Sequence, residues 1–242
     1  VLEDLMPDIV GLQWASNETE GGAHSSPIVV DISETTAGSD LIVMTQNGED
    51  PNALPTVLSV TATDGVTTYY LSRRGGVQNT SGNDKINVEC WNLRNTPAGL
   101  TSVTVTFTAD AVGVACVGEY ANVQSRGQLV TATGTGAHPT ISMTTQDANN
   151  TVVAGFGNEA TAQSPFSAAS SGVFRTEKFA LGDGSPDVPG CLVDNTSATA
   201  AAVVNTLTYA DTSTVWAAVA LELRSVADPG FAGGMWWRKP RP

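Results

Sequence analysis

Two stretches constrain the fold more than anything else in the chain. Ser102–Val123 reads SVTVTFTADAVGVACVGEYANV, and Val203–Val226 reads VVNTLTYADTSTVWAAVALELRSV. Each sets a Thr/Val-rich segment before a short Ala-Asp turn and a longer apolar segment that carries one glutamate near its end, Glu119 or Glu222. β-Branched side chains lose rotamer freedom in a helix and pack well on a pleated surface, so both stretches predict strand–turn–strand hairpins. In the last strand Val215, Ala217, Val219, Leu221 and Leu223 point one way, and Trp216, Ala218, Ala220, Glu222 and Arg224 point the other. In the earlier one Val112, Val114, Cys116, Gly118 and Tyr120 share a face, with Glu119 opposite. Ala and Gly on the glutamate-bearing face imply that this face is covered as well, by a loop or by another subunit.

The pairing repeats upstream. Gly22-Ala23-His24 leads through Pro27 into an apolar, turn-punctuated run, and Gly136-Ala137-His138-Pro139 leads into a second one. The two histidines of the protein thus hold matching places, and with the glutamate-bearing ends they predict an internal duplication. The expected organisation is an N-terminal arm over 1–22, a duplicated β-sandwich over 23–226 with halves 23–123 and 124–226, and a C-terminal arm over 227–242. A strand is expected near Ile9–Trp14, and further strands over Thr56–Ala62, Thr67–Leu71, Lys85–Leu93, Val173–Ala180, Gly190–Asp194 and Ala201–Tyr209. Asp64-Gly65 between alternating segments predicts a tight hairpin turn. Arg73–Asp84, Ala160–Ser171 and Gly182–Pro189 read as loops. Two tandem immunoglobulin-like sandwiches are the alternative, because each half has the size that one needs. The short, strand-like connection at 124–136 favours a single sandwich built from both halves.

Composition narrows the partners. Charged residues are 14% of the 242, and the formal net charge is −13. A body this acidic is repelled by phosphate backbones and by anionic bilayers, so nucleic acid and membrane are not expected partners. The longest apolar run, Val215–Leu223, has strand length and ends at Arg224. No secretory leader pattern is present, and the reading expects synthesis in a reducing cytoplasm. Cys90, Cys116 and Cys191 have neither an even count nor metal-ligand spacing; they read as buried thiols, with a Cys90–Cys116 bridge as the other option.

The run CWNLRNTPAGLTSVTVTFTADAVGVACVGEYANV, with the closing strand Trp216–Leu223, resembles a family of duplicated jelly-roll modules found in phage structural and bacterial surface proteins. The likeness extends over most of Pro27–Val226, departs at Asn92, where the family has tyrosine, and carries a longer loop at Arg73–Asp84. It implies an all-β, jelly-roll-like sandwich built from two homologous halves, and it implies no active site.

Residues with chemical potential fit that expectation. Glu119 and Glu222 could form the carboxylate pair of a glycosidase, but matching places in two repeats make them strand residues inherited together. His24 and His138 precede strands at Gly-containing turns. Asp183–Asp187 offers alternating oxygens of the kind calcium takes, yet lacks a closing acidic ligand and reads as a rigid turn. Four Asn-x-Ser/Thr sites, at Asn17, Asn79, Asn149 and Asn195, read as turn chemistry. No catalytic residue, metal or cofactor is expected. Tyr69 and Tyr70 form the one aromatic pair placed to stack on a glycan. The C-terminal arm joins a Gly-rich hinge to Met235, Trp236 and Trp237 and a basic end, Arg238, Lys239 and Arg241, out of only 11 basic residues. Adjacent tryptophans beside cations suit an anchor on an acidic partner, so Trp236, Trp237, Arg238, Lys239 and Arg241 are the expected partner-binding residues. The functional expectation is a non-enzymatic virion surface component, such as a phage head decoration protein, which assembles with itself or with a major capsid or other virion protein. The alternative is a glycan-binding module of a fibre or adhesin.

Overall fold

The computed structural model describes residues 8–19, 26–48, 54–81, 85–159, 166–180, 187–208 and 215–225; within 167–171 and at 208 only the backbone path is described. The chain is all-β. Among the described residues nine strands lie in the first half: β1 (Val10–Glu18), β2 (Ile28–Asp31), β3 (Ser39–Gly48), β4 (Val57–Thr63), β5 (Thr68–Tyr70), β6 (Ser72–Asn79), β7 (Ile86–Thr96), β8 (Ser102–Phe107) and β9 (Gly113–Ala121). Eight follow: β10 (Ser125–Thr135), β11 (Thr140–Thr144), β12 (Asn150–Glu159), β13 (Ser167–Ser171), β14 (Val173–Ala180), β15 (Val188–Ser197), β16 (Ala202–Thr208) and β17 (Val215–Arg224).

These strands make four antiparallel sheets. The first half has an inner sheet, β1-β9-β3-β7-β6, and an outer sheet, β2-β8-β4-β5. The second half has an inner sheet, β10-β17-β12-β15-β14, and an outer sheet, β11-β16-β13. Among the described residues no strand of one half pairs with a strand of the other. Three apolar clusters stack between the layers. Leu41, Val43, Trp91, Ala115 and Val117 of the first inner sheet meet Ile28, Val30, Val60, Val103 and Val105 of its outer sheet. Val152, Ala154, Phe156, Trp216 and Ala218 meet Ile141, Met143, Val203 and Leu207 in the same way. Between the two inner sheets, Ile42, Met44, Val88, Cys90, Val114 and Cys116 meet Val153, Leu192, Val215, Val219, Leu221 and Leu223.

The inner strands are therefore covered on both faces, which is why their sequences are nearly continuously apolar. β3, β12 and β17 are buried at every position. The outer strands alternate instead, as in β8, where Val103, Val105 and Phe107 are buried and Ser102, Thr104 and Thr106 are half-exposed.

Each half thus has a two-sheet sandwich of its own, in place of the expected single sandwich built from both halves, and the layering also corrects the expected hairpins at Ser102–Val123 and Val203–Val226. β8 and β9 do not pair, and neither do β16 and β17; in both cases the first strand belongs to an outer sheet and the second to an inner one. The change from alternating to continuous apolar sequence between the two strands of each pair marks that change of layer. The small-residue face of β17 is covered by its own outer sheet, not by a loop or another subunit. The stretch read as a loop at Arg73–Asp84 begins inside edge strand β6, Ser72–Asn79, and Ser167–Ser171 is β13. Part of the expected N-terminal arm belongs to the body, since β1 pairs with β9 from Val10↔Ala121 to Glu18↔Val114. The Asp64-Gly65 turn does join paired strands: Asp64 Oδ1 accepts from the amides of Val66 and Thr67, and Gly65 has φ 88°.

Backbones approach closely where the inner sheets face each other. A Cβ at Gly155 would lie 2.7 Å from the Met44 Cβ. Gly155→Ala must force the two sheets apart locally and should lower stability by about 1–3 kcal/mol, read as an earlier urea midpoint with little change in slope.

Candidate functional site

Glu119 and Glu222 are buried, 1% and 0% exposed, and each performs the same structural task. Glu119 Oε1 accepts from the Thr36 amide at 2.7 Å in the β2–β3 connection, and its other oxygen accepts from the Gln13 side chain. Glu222 Oε1 accepts from the Gln146 amide at 2.8 Å in the β11–β12 connection and from Asn150 Nδ2 at 2.7 Å. Its other oxygen accepts from the Gln128 amide at 3.2 Å. Gln128 sits where the β10–β17 register shifts, and a side chain on its neighbour Gly127 would overlap the Glu222 carboxylate. Buried carboxylates whose oxygens are taken by backbone amides fix loops and offer nothing to a substrate. The two glutamates are clamps.

The same loops share further bonds. The Thr35 amide donates to Leu100 O and the Leu100 amide to Thr35 Oγ1; the Thr145 amide donates to Ala201 O and the Ala201 amide to Thr145 Oγ1. Gly38, at φ 80°, and Asn149, at φ 59°, each donate a backbone amide to the end of the neighbouring strand, at Thr96 O and Ser197 O.

Other buried polar groups join the halves. Arg126 of β10 donates to Asp40 of β3 at 2.7 Å, and Asn92 of β7, with its amide oriented to fit, accepts from the same guanidinium at 2.7 and 2.8 Å. Burial pushes the Asp40 carboxyl up, and the Arg126 charge opposes this; burial likewise pushes the Arg126 guanidinium down. Tyr120 of β9, the cross-strand neighbour of Asp40, donates to Asp194 of β15 at 3.1 Å. Arg175 pairs with Asp194 at 2.9 Å, and its guanidinium lies 4.2 Å from the centre of the Trp14 ring.

The remaining sequence candidates fall into three groups. Trp91 and Trp216 are core residues, and Trp14 is half-buried against the central cluster. All three cysteines are free and buried, which excludes the Cys90–Cys116 bridge. His138 is exposed. Among the described residues no group of His, Cys, Asp and Glu is placed to hold a metal. His24, Asp183 and the partner-binding candidates Trp236, Trp237, Arg238, Lys239 and Arg241 lie outside the described residues.

Tyr69 and Tyr70 sit on β5, the edge of the first outer sheet, and face opposite ways. Tyr69 packs on the core, whereas Tyr70 is 74% exposed. The aromatic pair is thus a single outward ring. Cross-strand register places Tyr70 beside Thr61, Thr61 beside Thr104 and Thr104 beside Val29, a row across the open face of the sheet. Asp31, Ser102, Thr63 and Thr68 form the next row. Leu58, 64% exposed at a register shift in β4, adds to this face. Composition did not single out the face; the signal for it lay in the alternation of VTVTF and VTAT, which turns the hydroxyls outward.

No protein-family model, no curated protein and no solved structure matches the chain.

Two outcomes follow from the clamps and the buried thiols. Glu222→Ala leaves two backbone amides and the Asn150 amide without their acceptor and should cost about 3 kcal/mol or more, with Glu119→Ala close behind, both measured by thermal unfolding. Burial pushes the Cys90 thiol up to about 12 and also raises Cys116, Cys191 and Tyr120. The native state then holds protons that the unfolded chain releases above about pH 9, so stability falls as pH rises through that point. Cys90→Ala should flatten the decline between pH 9 and 11 by up to about 1.4 kcal/mol per pH unit, measured by urea unfolding at each pH.

Proposed function

We propose that the protein is a non-enzymatic structural and interaction protein of a virion surface, of the head-decoration kind, which assembles with copies of itself or with a major capsid protein. The observation that carries this reading is where the chemistry goes. The acidic side chains that sequence offers as catalytic, Glu119 and Glu222, are consumed in holding loops. The strand crossings also suit a duplicated jelly roll: β1-β9-β3-β7 over β2-β8-β4-β5 in one half, and β10-β17-β12-β15 over β11-β16-β13 in the other. Interaction groups are concentrated instead in the C-terminal sequence, with Trp236, Trp237, Arg238, Lys239 and Arg241 at the end of a chain whose total net charge is −13. Aromatic anchors beside cations complement an acidic neighbour, and copies of this chain supply one.

Tyr70 favours a second reading, a glycan-binding module of a fibre or adhesin, because an exposed ring beside threonine hydroxyls is suited to stack on a sugar and hydrogen-bond to it.

Light scattering on the full chain and on a chain ending at Val226 separates the two. Assembly by the full chain alone, or capture of a capsid shell by it alone, is the expected result. Equal monomers with no shell affinity would overturn the assembly reading. Saturable glycan binding that disappears in Tyr70→Ala would then carry the second.

A further inference from the structure

The packing of the two inner sheets is reciprocal. β1 lies against β14 and β10 against β6; β9 meets β14 and β15 while β17 meets β6 and β7; β3 meets β15 while β12 meets β7; and β3 crosses β12. If strands are matched by their place in the sheet orders, so that β1 answers to β10, β3 to β12, β6 to β14, β7 to β15 and β9 to β17, each contact has its partner. That is the pattern of a twofold, isologous interface, in which each surface contacts the other through the same patch. Here it lies inside one chain, and only residues 122–124 connect β9 to β10.

The polar groups break this symmetry. Register fixes the matches: Tyr120 lies opposite Asp40 and Leu223 opposite Thr151, so Thr151 stands where Asp40 does. Gly11 lies opposite Tyr120 and Arg126 opposite Leu223, so Gly11 stands where Arg126 does. Asn92 lies opposite Ile42 and Asp194 opposite Val153, so these two also correspond. Were the first half to pair with a copy of itself, Asp40 would face Gly11 and lose the hydrogen-bonded Arg126 guanidinium, keeping the hydrogen bond from the Asn95 amide and the weaker pull of the Arg94 charge. A buried carboxylate without its cation is strongly unfavourable. A pair of second halves escapes this penalty, because Arg126 would meet Asp194.

We propose that the inner-sheet face of each half is a self-complementary docking surface, that the chain is a tethered pair of such units, and that Asp40 is the residue that forbids the first half from pairing with its own copy. Discrimination of this kind comes from the penalty placed on the wrong partner. The apolar cluster supplies the attraction common to all pairings, and Asp40 with Arg126 selects the unlike one.

The full chain with a protease site placed between Val123 and Gln124 tests this. It is cut in the native state, unfolded in urea, refolded by dilution and weighed by native mass spectrometry. The expected result is that cut wild-type halves remain bound and recombine almost wholly as first half with second. Asp40→Thr, which installs the residue of the matching position, should move the refolded halves toward the statistical mixture, lowering the excess of unlike pairs by about tenfold or more. Asp40→Asn, closest in shape, is the second variant and should move them the same way. Halves that separate on cutting, or fail to recombine, overturn the docking surface. Variants that still pair only unlike halves overturn the role of Asp40.

Discussion

The structure depends on one constraint: two five-stranded sheets must each be covered twice. Each inner sheet has an outer sheet of its own half on one face and the inner sheet of the other half on its second face. Hydrophobic burial between the inner sheets holds the halves to each other in place of strand pairing. Met44, Val88, Cys116, Val219 and Leu221 of that layer are 0% exposed and belong to one cluster drawn from both halves. The edges of the inner sheets are tied as well. Ser16 of β1 reaches Thr176 at 2.6 Å, and Asn79 of β6 donates to Gly134 O at 2.9 Å and Trp216 O at 3.0 Å. Such contacts leave fewer open backbone groups at edges that would otherwise recruit foreign strands.

Burial on this scale makes every inward polar group a fixed commitment. Glu119 and Glu222 meet backbone amides, Asp40 meets Arg126, and Asp194 meets Tyr120 and Arg175. Glu89, 3% exposed, accepts from Arg73 at 2.7 Å, Asn87 at 3.1 Å and Trp91 at 3.1 Å. These are positions at which a sequence reader seeks catalysts, and their partners account for them as architecture. Among the described residues, the outward faces of the outer sheets are exposed, built of threonine and serine with apolar side chains such as Val29 and Tyr70.

Much of this was legible in the sequence, for reasons that can be named. Threonine–valine alternation marks strands covered once, and VWAAVALEL marks one covered twice, so both the all-β class and the two faces of β17 follow from pattern. The Asp64-Gly65 turn was readable because its chemistry is local. Strand pairing was not, because a short connection such as the five residues between β8 and β9 does not reveal whether the chain returns to its own sheet or crosses to the next. β6 escaped notice because Gly75 and Gly76 interrupt its pattern, although an edge strand tolerates glycine. The two glutamates were recognisable as a matched pair, but their partners, Thr36 and Gln146, lie 83 and 76 residues away. The Asp40–Arg126 contact, separated by 86 residues across two halves, had no sequence signal at all.

The central claim is that the layer between the inner sheets makes the two halves one cooperative unit. Native-state hydrogen exchange, followed residue by residue in rising denaturant, tests it most directly. The account predicts that the slowest amides of β3 and β9 and those of β12 and β17 merge into one opening reaction, with a single free energy and a single denaturant dependence. If the amides of one half exchange through a separate, lower-energy opening while the other half stays protected, the shared layer is not what holds the molecule together.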